Sequence, residues 1–447
     1  MADTIFAPAT ARGRGAIAVI RLSGPACAVV CRRLTKRRPP APRCAALRRL
    51  CDPASGETID QGLVLWFPGP ASATGEDVLE LHVHGGRAVM AGLLMALASL
   101  PGLRPADPGE FSRRAFLNAR MDLTAAEGLA DLVAAETAAQ ARQALRQLDG
   151  ALGRLYEDWR SALLGALARL EAEIDFAPDQ DVPGGAVEAI RPVLANVSAE
   201  MAAHVDDGRR GERLREGLTI AVVGPPNAGK SSLINRLAQR DVAIVTPEPG
   251  TTRDVLEVHL DLGGYPVTLL DTAGLREPQG GAEAEGVRRA RRRAAEADLR
   301  LVLLDGALWP AQDAESVALI DEDAVVAVNK ADLGRLPDEP LVAGRPALRL
   351  SCLTGEGQER LLELLSVQAA ERLAVGEAPL LTRARHRASL NKAREALDRI
   401  AALPPDAELA LVAEDLRLAV RAIGQITGRV GVEDLLDLIF SEFCIGK

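Results

Sequence analysis

The chain has 447 residues, 48% of them hydrophobic, which suffices for about three domains with sizeable cores. Its formal net charge of −9, from 53 basic and 62 acidic residues, argues against a general nucleic-acid binder. Because no apolar run is long enough to span a membrane and the first residues lack a signal-peptide core, we expect a soluble, cytoplasmic protein.

The N-terminal part, residues 1–118, has the pattern of an α+β domain. Short apolar segments bounded by Gly or Pro alternate with helical stretches. The predicted strands are Ala16–Leu22, Leu63–Phe67 and Val78–His84, and the predicted helices cover residues 26–34 and 87–99.

Six cysteines are present: Cys27, Cys31, Cys44, Cys51, Cys352 and Cys444. The first four fit no zinc-binding spacing, and we interpret them as buried thiols without disulfides. Basic residues are concentrated at 32–49 and again at 288–293. We interpret both runs as solvated surface, since neither demonstrates contact with RNA.

From residue 119 to 213 the chain is rich in Ala, Leu, Glu and Arg, which is typical of long helices. Apolar residues from Leu145 to Leu170 recur every three or four positions and predict one apolar stripe on a single long helix. The segment 374–447 has the same character. The simplest architecture is a helical domain interrupted by an inserted domain at residues 214–373.

The inserted part alternates short apolar strands with helices, which predicts a mostly parallel sheet covered on both faces. Its predicted strands are Thr219–Val223, Val255–Leu260, Val267–Leu270, Leu299–Leu304, Ala324–Val328 and Ala347–Leu350.

A phosphate-binding loop follows the first of these strands. The residues from Gly224 to Ser231 read GPPNAGKS and open a predicted helix, as a P-loop requires. Backbone N–H groups and the helix N-terminus would hold phosphates. Lys230 would neutralise phosphate charge, and the hydroxyl of Ser231 would bind Mg²⁺.

Three further elements follow in the order expected of a GTPase: DTAG from Asp271, NKAD from Asn329 and SCL from Ser351. Asp332 could accept hydrogen bonds from the N1–H and amino groups of guanine, a pattern that adenine lacks. The expected GTP-binding residues are Asn227, Ala228, Gly229, Lys230, Ser231, Ser232, Thr246, Pro247, Glu248, Pro249, Gly250, Thr251, Thr252, Asp271, Thr272, Ala273, Gly274, Asn329, Lys330, Ala331, Asp332, Ser351, Cys352 and Leu353.

The catalytic group is less evident, because Leu275 occupies the position where many GTPases carry a water-orienting Gln. Two features could compensate. A monovalent cation held by the loop at 245–254 and by Asn227 could offset developing charge. A glutamate beyond DTAG, with Glu283 and Glu285 as candidates, could position the attacking water.

Taken together, these motifs resemble the MnmE (TrmE) family of tRNA-modification GTPases. PNAGKSSLIN, PGTTRD, DTAGLRE and NKAD are shared with related GTPases. More discriminating are TGEDVLELHVHGG at 74–86, PGEFSRRAFLN at 108–118 and FCIGK at 443–447. The similarity extends over the whole chain.

The resemblance implies a homodimer whose N-terminal domain binds a methylene- or formyl-tetrahydrofolate. It also implies a heterotetramer with an FAD-dependent partner of the MnmG (GidA) type, no membrane association, and potassium-dependent GTP hydrolysis. Together the two proteins would add an aminomethyl or carboxymethylaminomethyl group to carbon 5 of the wobble uridine of certain tRNAs.

The resemblance also assigns roles to individual residues. Asn227, Thr246, Glu248 and Thr251 match potassium ligands, and Ser231 and Thr252 match Mg²⁺ ligands. Glu283 matches the residue that positions water, so the expected catalytic residues are Glu283, Lys230 and Asn227. Arg21, Glu80, Arg120 and Lys447 match folate-contacting positions.

Some alternatives stay open. Glu80, His82 and His84 alternate along one strand, so they share a face that could suit a metal, although a polar lining is the favoured interpretation. Cys444 fits a prenylation motif poorly and is interpreted as a free thiol. The alternative function is a GTP-dependent ribosome-assembly switch without modification chemistry. Such a factor is expected to carry a basic RNA-binding module with a GxxG loop, or a second P-loop domain, and we find neither of these domains in the sequence.

Overall fold

The computed structural model describes residues 3–11, 13–175, 185–240, 242–244, 257–271, 296–374, 376, 379–404, 407–431, 433–441, 443 and 446. The chain divides into two compact units. The first consists of Met1–Ala130, Gln147–Leu194 and Glu395–Lys447, and the second of Asp131–Arg146 and Ala195–Arg394. None of the described helices is long and apolar enough to cross a membrane.

The first unit begins with a sheet of six described strands. They are β1 (Thr4–Pro8), β2 (Gly15–Ser23), β3 (Ala46–Cys51), β4 (Thr58–Phe67), β5 (Val78–Gly85) and β6 (Leu103–Pro105). Their order is β3-β4-β5-β2-β1-β6, and neighbours are antiparallel except β1 and β6. The three predicted strands are confirmed within β2, β4 and β5, whereas the other three strands were not predicted.

Helices α1 (Cys27–Thr35) and α2 (Arg87–Ala98) cover one face of this sheet and confirm both helix predictions. Ile20 and Leu22 of β2 and Leu81 of β5 all point toward this face, and all three are fully buried. Each such side chain contributes about 1.5–3 kcal/mol to stability. A third helix, α3 (Glu110–Leu117), begins after the left-handed residue Gly109.

The cysteines of the N-terminal part differ in environment. Cys27 and Cys31 are fully buried on α1, as predicted, and burial raises the pKa of both thiols. Cys51 is half-buried in β3. The prediction of a buried thiol is wrong for Cys44, which is exposed because it lies in the loop before β3, outside the core.

Five helices lead from the N-terminal domain to the second sheet: α4 (Leu123–Ala134), α5 (Ala138–Leu148), α6 (Ala151–Asp175), α7 (Ala186–Val205) and α8 (Arg210–Glu216). The prediction of one continuous helix from Leu145 to Leu170 is wrong. The chain breaks after Leu148, and Gly150 adopts a left-handed φ of 79°. Leu145 is 45% exposed, so the apolar stripe belongs to two helices with different surroundings.

The second unit contains a sheet of six described strands in the order β14-β11-β10-β7-β9-β8. All neighbouring strands are parallel except the hairpin of β8 and β9, which confirms the predicted mostly parallel sheet. The strands are β7 (Leu218–Val223), β8 (Glu257–Leu262), β9 (Tyr265–Asp271), β10 (Leu299–Asp305), β11 (Ala324–Asn329) and β14 (Leu348–Arg349).

The same unit contains the helices α9 (Lys230–Ala238), α10 (Ala314–Val317) and α11 (Gln358–Leu373). It also contains a short hairpin of β12 (Leu341–Val342) and β13 (Arg345–Pro346). Apolar side chains of β7, β9 and α11 form the larger core. In a parallel sheet of this kind, ligands bind beyond the carboxyl ends of the strands. Asp271, Asp305 and Asn329 end three of these strands.

Three helices complete the chain: α12 (Ala384–Ala402), α13 (Leu409–Thr427) and α14 (Glu433–Ser441). Within the first unit, α13 packs against α6, and Arg417 forms an ion pair of 3.0 Å with Glu171. Phe440 of α14 is buried against Leu123 of α4. Helices from before and after the second sheet therefore pack together, which is the arrangement expected when one domain is inserted into another.

Candidate functional site

The P-loop joins β7 to α9 through residues that only glycine suits. Gly224 has a φ of 146°, and a Cβ there would lie 2.0 Å from the carbonyl oxygen of Leu303. Gly229 has a φ of 100°, and its Cβ would lie 2.3 Å from Nδ2 of Asn329. These close approaches bring the loop against two neighbouring strands. The N-terminus of α9 then offers its backbone N–H groups to an anion.

Lys230 is held inside this loop. Its side chain is buried, and Nζ donates hydrogen bonds to the carbonyl oxygens of Gly224 at 2.7 Å and Pro225 at 2.9 Å. Asn227 is exposed at the loop's outer side in a left-handed conformation with a φ of 63°, which asparagine tolerates well. The loop thus places a cation beside the helix N-terminus and an amide side chain outside it.

Asn329 connects the phosphate end of the site to the base end. Its Nδ2 donates to the carbonyl oxygen of Ala228 at 2.7 Å, and its Oδ1 accepts from the backbone N–H of Cys352 at 2.9 Å. The side chain is buried, so both bonds are shielded from water. One amide therefore fixes the P-loop relative to the loop that follows β14.

The base end is organised around Ser351 and Asp332. The Ser351 hydroxyl donates to Oδ1 of Asp332 at 2.6 Å and accepts from the backbone N–H of Thr354 at 3.1 Å. Ser351 is fully buried, while Asp332 is exposed. The serine fixes the orientation of a carboxylate that remains accessible to a ligand.

Asp271 stands at the end of β9, directly beside Val222 of β7, and is buried. A buried carboxylate next to the P-loop is a hard oxygen ligand of the kind that Mg²⁺ prefers. Ser231 follows in the first turn of α9. Ser232 also lies in α9, and Ala331 is buried directly after Lys330. Eleven predicted nucleotide, metal and water-positioning residues lie outside the described residues: Thr246, Pro247, Glu248, Pro249, Gly250, Thr251, Thr252, Thr272, Ala273, Gly274 and Glu283.

Two supporting residues were not predicted from the sequence. Arg236 of α9 donates to the carbonyl oxygens of Cys352 at 2.8 Å and Leu353 at 3.0 Å. Asp305, at the end of β10, accepts from Nζ of Lys330 at 2.6 Å. The position of Asp305 at a strand end was a usable signal, whereas nothing in the sequence marks Arg236.

Cys352 itself lies half-buried in the base loop, and burial raises the pKa of its thiol. A raised pKa favours the neutral thiol, which is a weak nucleophile. The residue therefore contributes its backbone to the loop, through the N–H bonded to Asn329 and the carbonyl bonded to Arg236.

A second polar cluster lies on the N-terminal sheet. Arg21 of β2 faces Glu80 of β5, and its Nε donates to Oε1 of the glutamate at 3.0 Å. Nε2 of His82 lies 3.1 Å from the other oxygen of Glu80. His84 instead lies 2.8 Å from Oδ1 of Asp60, so the trio considered as a metal site is divided between two pairs. Across the described residues, no group of three potential metal ligands is found.

Two further segments, the stretch after α3 and the C-terminal stretch, contact the N-terminal domain. A Cβ on Gly75 would lie 3.3 Å from Cγ of Arg120, so the arginine stem packs against this loop. Gly446 passes so close to β1 that a Cβ would lie 2.1 Å from the carbonyl oxygen of Pro8. Lys447 and Cys444 themselves are outside the described residues.

The sheet is mostly parallel and carries a P-loop after one strand, a buried Asp after the next and NKAD after a third. This combination defines a guanine-nucleotide-binding P-loop GTPase. Models of two families match the chain: the "GTP-binding protein TrmE N-terminus" at residues 4–120 and the "MnmE helical domain" at residues 123–444. The chain belongs to the MnmE (TrmE) family and is a GTPase.

Similar proteins match over almost their full lengths. The chain is 56% identical to the tRNA modification GTPase MnmE of Parvibaculum lavamentivorans over 447 residues, covering 100% of both. It is 57% identical to the protein of that name from Rhodospirillum rubrum over 461 residues, covering 100% of this chain and 99% of that one. It is 50% identical to the human mitochondrial 5-taurinomethyluridine-[tRNA] synthase subunit GTPB3 over 466 residues, covering 99% and 93%.

Proposed function

We propose that this protein is a potassium-dependent GTPase that modifies carbon 5 of the wobble uridine in certain tRNAs. It would act with an FAD-dependent partner of the MnmG (GidA) type and a tetrahydrofolate one-carbon donor, adding an aminomethyl or carboxymethylaminomethyl group. The observation that carries this proposal is the full-length similarity to proteins named as tRNA modification GTPases.

In the GTPase domain, the proposed roles follow from the chemistry of the described residues. Asp332, oriented by Ser351, accepts from the guanine base, and Lys230 with the backbone N–H groups of α9 binds the phosphates. A Mg²⁺ ion would be held by Ser231 and Thr252, with Asp271 in its surroundings, and would neutralise phosphate charge. The position of Asp271 beside the P-loop strand supports this assignment.

The hydrolysis step is assigned to residues near the phosphates. Asn227, which is exposed in the P-loop, would be one ligand of K⁺. The remaining proposed ligands are Thr246, Glu248 and Thr251. Glu283 would position the attacking water. A cation in this place would supply the positive charge that other GTPases take from an arginine.

The polar cluster of the N-terminal sheet is the proposed folate site. Glu80 could accept hydrogen bonds from the amide and amino groups of a pterin, and Arg21 already orients that carboxylate. Arg120 and Lys447 are positively charged and suit the carboxylates of a folate tail. We further propose that the N-terminal domain forms the homodimer, with residues 119–213 and 374–447 as one helical domain and 214–373 as the GTPase domain.

The decisive experiment is nucleoside analysis of tRNA from cells that lack this protein, with and without a plasmid that restores it. We expect the carbon-5 modification of the wobble uridine to disappear and to return with the plasmid. Normal nucleosides combined with a ribosome-assembly defect would contradict the proposal and favour the alternative switch function.

A further inference from the structure

One edge of the N-terminal domain carries an unusual concentration of positive charge. Eight basic residues, here called the basic edge, lie at the end of α1, in the following loop and on β3: Arg32, Arg33, Lys36, Arg37, Arg38, Arg43, Arg48 and Arg49. No Asp or Glu occurs anywhere between Gly24 and Cys51. The chain as a whole has a net charge of −9, so this charge is local.

The basic edge has no carboxylate partners among the described residues. Arg43 and Arg48 donate only to backbone carbonyls, those of Ala71 and Leu47. By contrast, Arg104 and Arg114 of the same domain both form ion pairs with Glu110. Uncompensated like charges repel one another, and this repulsion is relieved when an anionic partner binds.

The charges lie on both sides of one edge of the sheet. β3 is an outer strand that pairs only with β4 among the described strands, and α1 packs beside it. Burial raises the pKa of the Cys31 thiol, while Arg32 and Arg48 both lie close enough to oppose that effect. Charges from the helix and from the strand therefore lie close together. Arg49, the next residue along β3, points to the opposite face of the strand and is exposed.

Helix capping explains only part of this pattern. Arg32 and Arg33 occupy the last turn of α1, where basic residues favour the helix dipole. Arg37, Arg38 and Arg49 lie beyond the helix, are exposed and serve no such purpose. Seven of the eight basic residues are arginine, whose planar guanidinium binds phosphate oxygens in pairs.

We propose that the basic edge binds the phosphate backbone of RNA and is the surface on which this protein holds its tRNA substrate. This inference rests on the proposed function, because it identifies where the substrate of that function docks. Phosphate contacts position a nucleic acid without reading its sequence. The basic edge therefore supplies affinity and orientation, and selection of particular tRNAs lies elsewhere.

The test compares two triple variants of the full chain that change the net charge equally. The edge variant combines Arg37→Glu, Arg38→Glu and Arg49→Glu. The control combines Arg142→Glu, Arg169→Glu and Arg421→Glu, all exposed arginines on helices for which no ion pair is described. Binding of purified tRNA is measured by fluorescence anisotropy over a series of KCl concentrations. GTP turnover and thermal unfolding of both variants establish that each is folded.

We expect the edge variant to bind tRNA at least about tenfold more weakly at low salt, while the control stays within about twofold of the unaltered protein. The slope of log K against log[KCl] should become shallower by about two for the edge variant, since each lost phosphate contact removes about 0.7–0.9. Equal losses in both variants would show a general charge effect and overturn the proposal, as would unchanged affinity in the edge variant.

Two further outcomes separate this proposal from the proposed function. Absence of measurable tRNA binding by the unaltered protein at low salt would overturn the docking surface, while nucleoside analysis of cells lacking the protein would still decide the function. If the edge variant keeps its tRNA affinity but no longer co-purifies with an acidic protein partner, the surface binds protein and the RNA proposal is wrong.

Discussion

At the scale of single residues, we propose that guanine selectivity depends on the Asp332 carboxylate, to which the Ser351 hydroxyl donates a hydrogen bond at 2.6 Å. Replacing Asp332 with Asn exchanges an acceptor for a donor, so we expect GTP affinity to fall at least about 100-fold and xanthosine triphosphate to become the preferred ligand. Competition binding with both nucleotides measures this. Ser351→Ala, the control, keeps the carboxylate and should weaken GTP binding without changing the preference. Unchanged preference in Asp332→Asn would remove this residue from the base site.

A second residue-scale prediction concerns Asn227 and potassium. Because the backbone φ of Asn227 is 63°, glycine is the substitution that removes the amide without adding strain. We expect K⁺ to accelerate GTP turnover well above Na⁺ in the unaltered protein, and Asn227→Gly to abolish the difference. Steady-state phosphate release in the two salts gives the comparison. Equal rates for the unaltered protein would exclude a potassium-dependent mechanism.

At the scale of elements, Gly109 controls the contact between α3 and α14. Its φ is 66°, and a Cβ would lie 2.5 Å from the carbonyl oxygen of Phe440. Gly208 has a φ of 65° with nothing within 4 Å, so it is a control of equal backbone strain. We expect both substitutions to Ala to lower the free energy of unfolding by about 1–2 kcal/mol through backbone strain. Gly109→Ala should lower it by roughly 1–3 kcal/mol more, because the new Cβ clashes with Phe440. Urea unfolding compares them, and equal losses would contradict the packing described.

His204, in the last turn of α7, is expected to make the stability of the fold depend on pH. Burial lowers the pKa of His204 to about 4, an effect that nearby His386 and Arg387 strengthen and Asp207 opposes. The unfolded chain takes up this proton near pH 6.5 and the folded chain only near 4. Stability from this group is therefore full above about pH 6.5 and declines as the pH falls toward 4.

We expect this histidine to account for about 2 kcal/mol of the loss in unfolding free energy between pH 7.5 and pH 5. His204→Gln should show a correspondingly smaller loss over that interval. Urea unfolding at the two pH values measures the difference between the two proteins. An identical decline in both would show that His204 titrates normally.

The elements also show how far sequence patterns reach. Strands of mostly apolar residues, such as β7 and β10, were predicted nearly to the residue. β3 was missed because Arg48 and Arg49 interrupt its apolar alternation, and β6 because three residues carry no period. The break after Leu148 was missed because the apolar spacing continues across Gly150. Periodicity records which face is apolar, whereas a single left-handed residue decides whether a helix continues.

At the scale of the whole molecule, the main question is whether GTP hydrolysis is coupled to modification. If Glu283 positions water and does not hold the nucleotide, Glu283→Ala should keep GTP affinity and lose about 10²–10⁴-fold in turnover. Loops ordered by the γ-phosphate are released only on hydrolysis, so we expect tRNA modification to fail as well.

Glu285→Ala is the matched control and should leave turnover and modification near normal. The measurements are GTP binding and turnover of the purified variants, together with nucleoside analysis of tRNA from cells that carry only the variant. Full modification in cells carrying Glu283→Ala, with turnover abolished in the purified protein, would show that hydrolysis and chemistry are independent.

The candidate site was predictable as a set of residues but not as a network. P-loop, DTAG and NKAD spacings place Lys230, Asp271 and Asp332 at strand ends, because parallel strands present their carboxyl ends on one side. The bond from Asn329 to Ala228 and the support from Arg236 depend on packing between segments about a hundred residues apart. Sequence spacing contains no information about such contacts.

The first unit is completed by a segment that follows the inserted unit in the chain. Residues of α14 and the adjoining Gly446 pack against Gly109, Leu123 and Pro8, yet the whole GTPase unit is synthesised between those partners. Domains generally fold as they leave the ribosome. The inserted unit can therefore mature while the surrounding one still exposes the apolar surface around Leu123. We therefore expect a chain truncated before α14 to expose that surface and to be a substrate for chaperones and proteases.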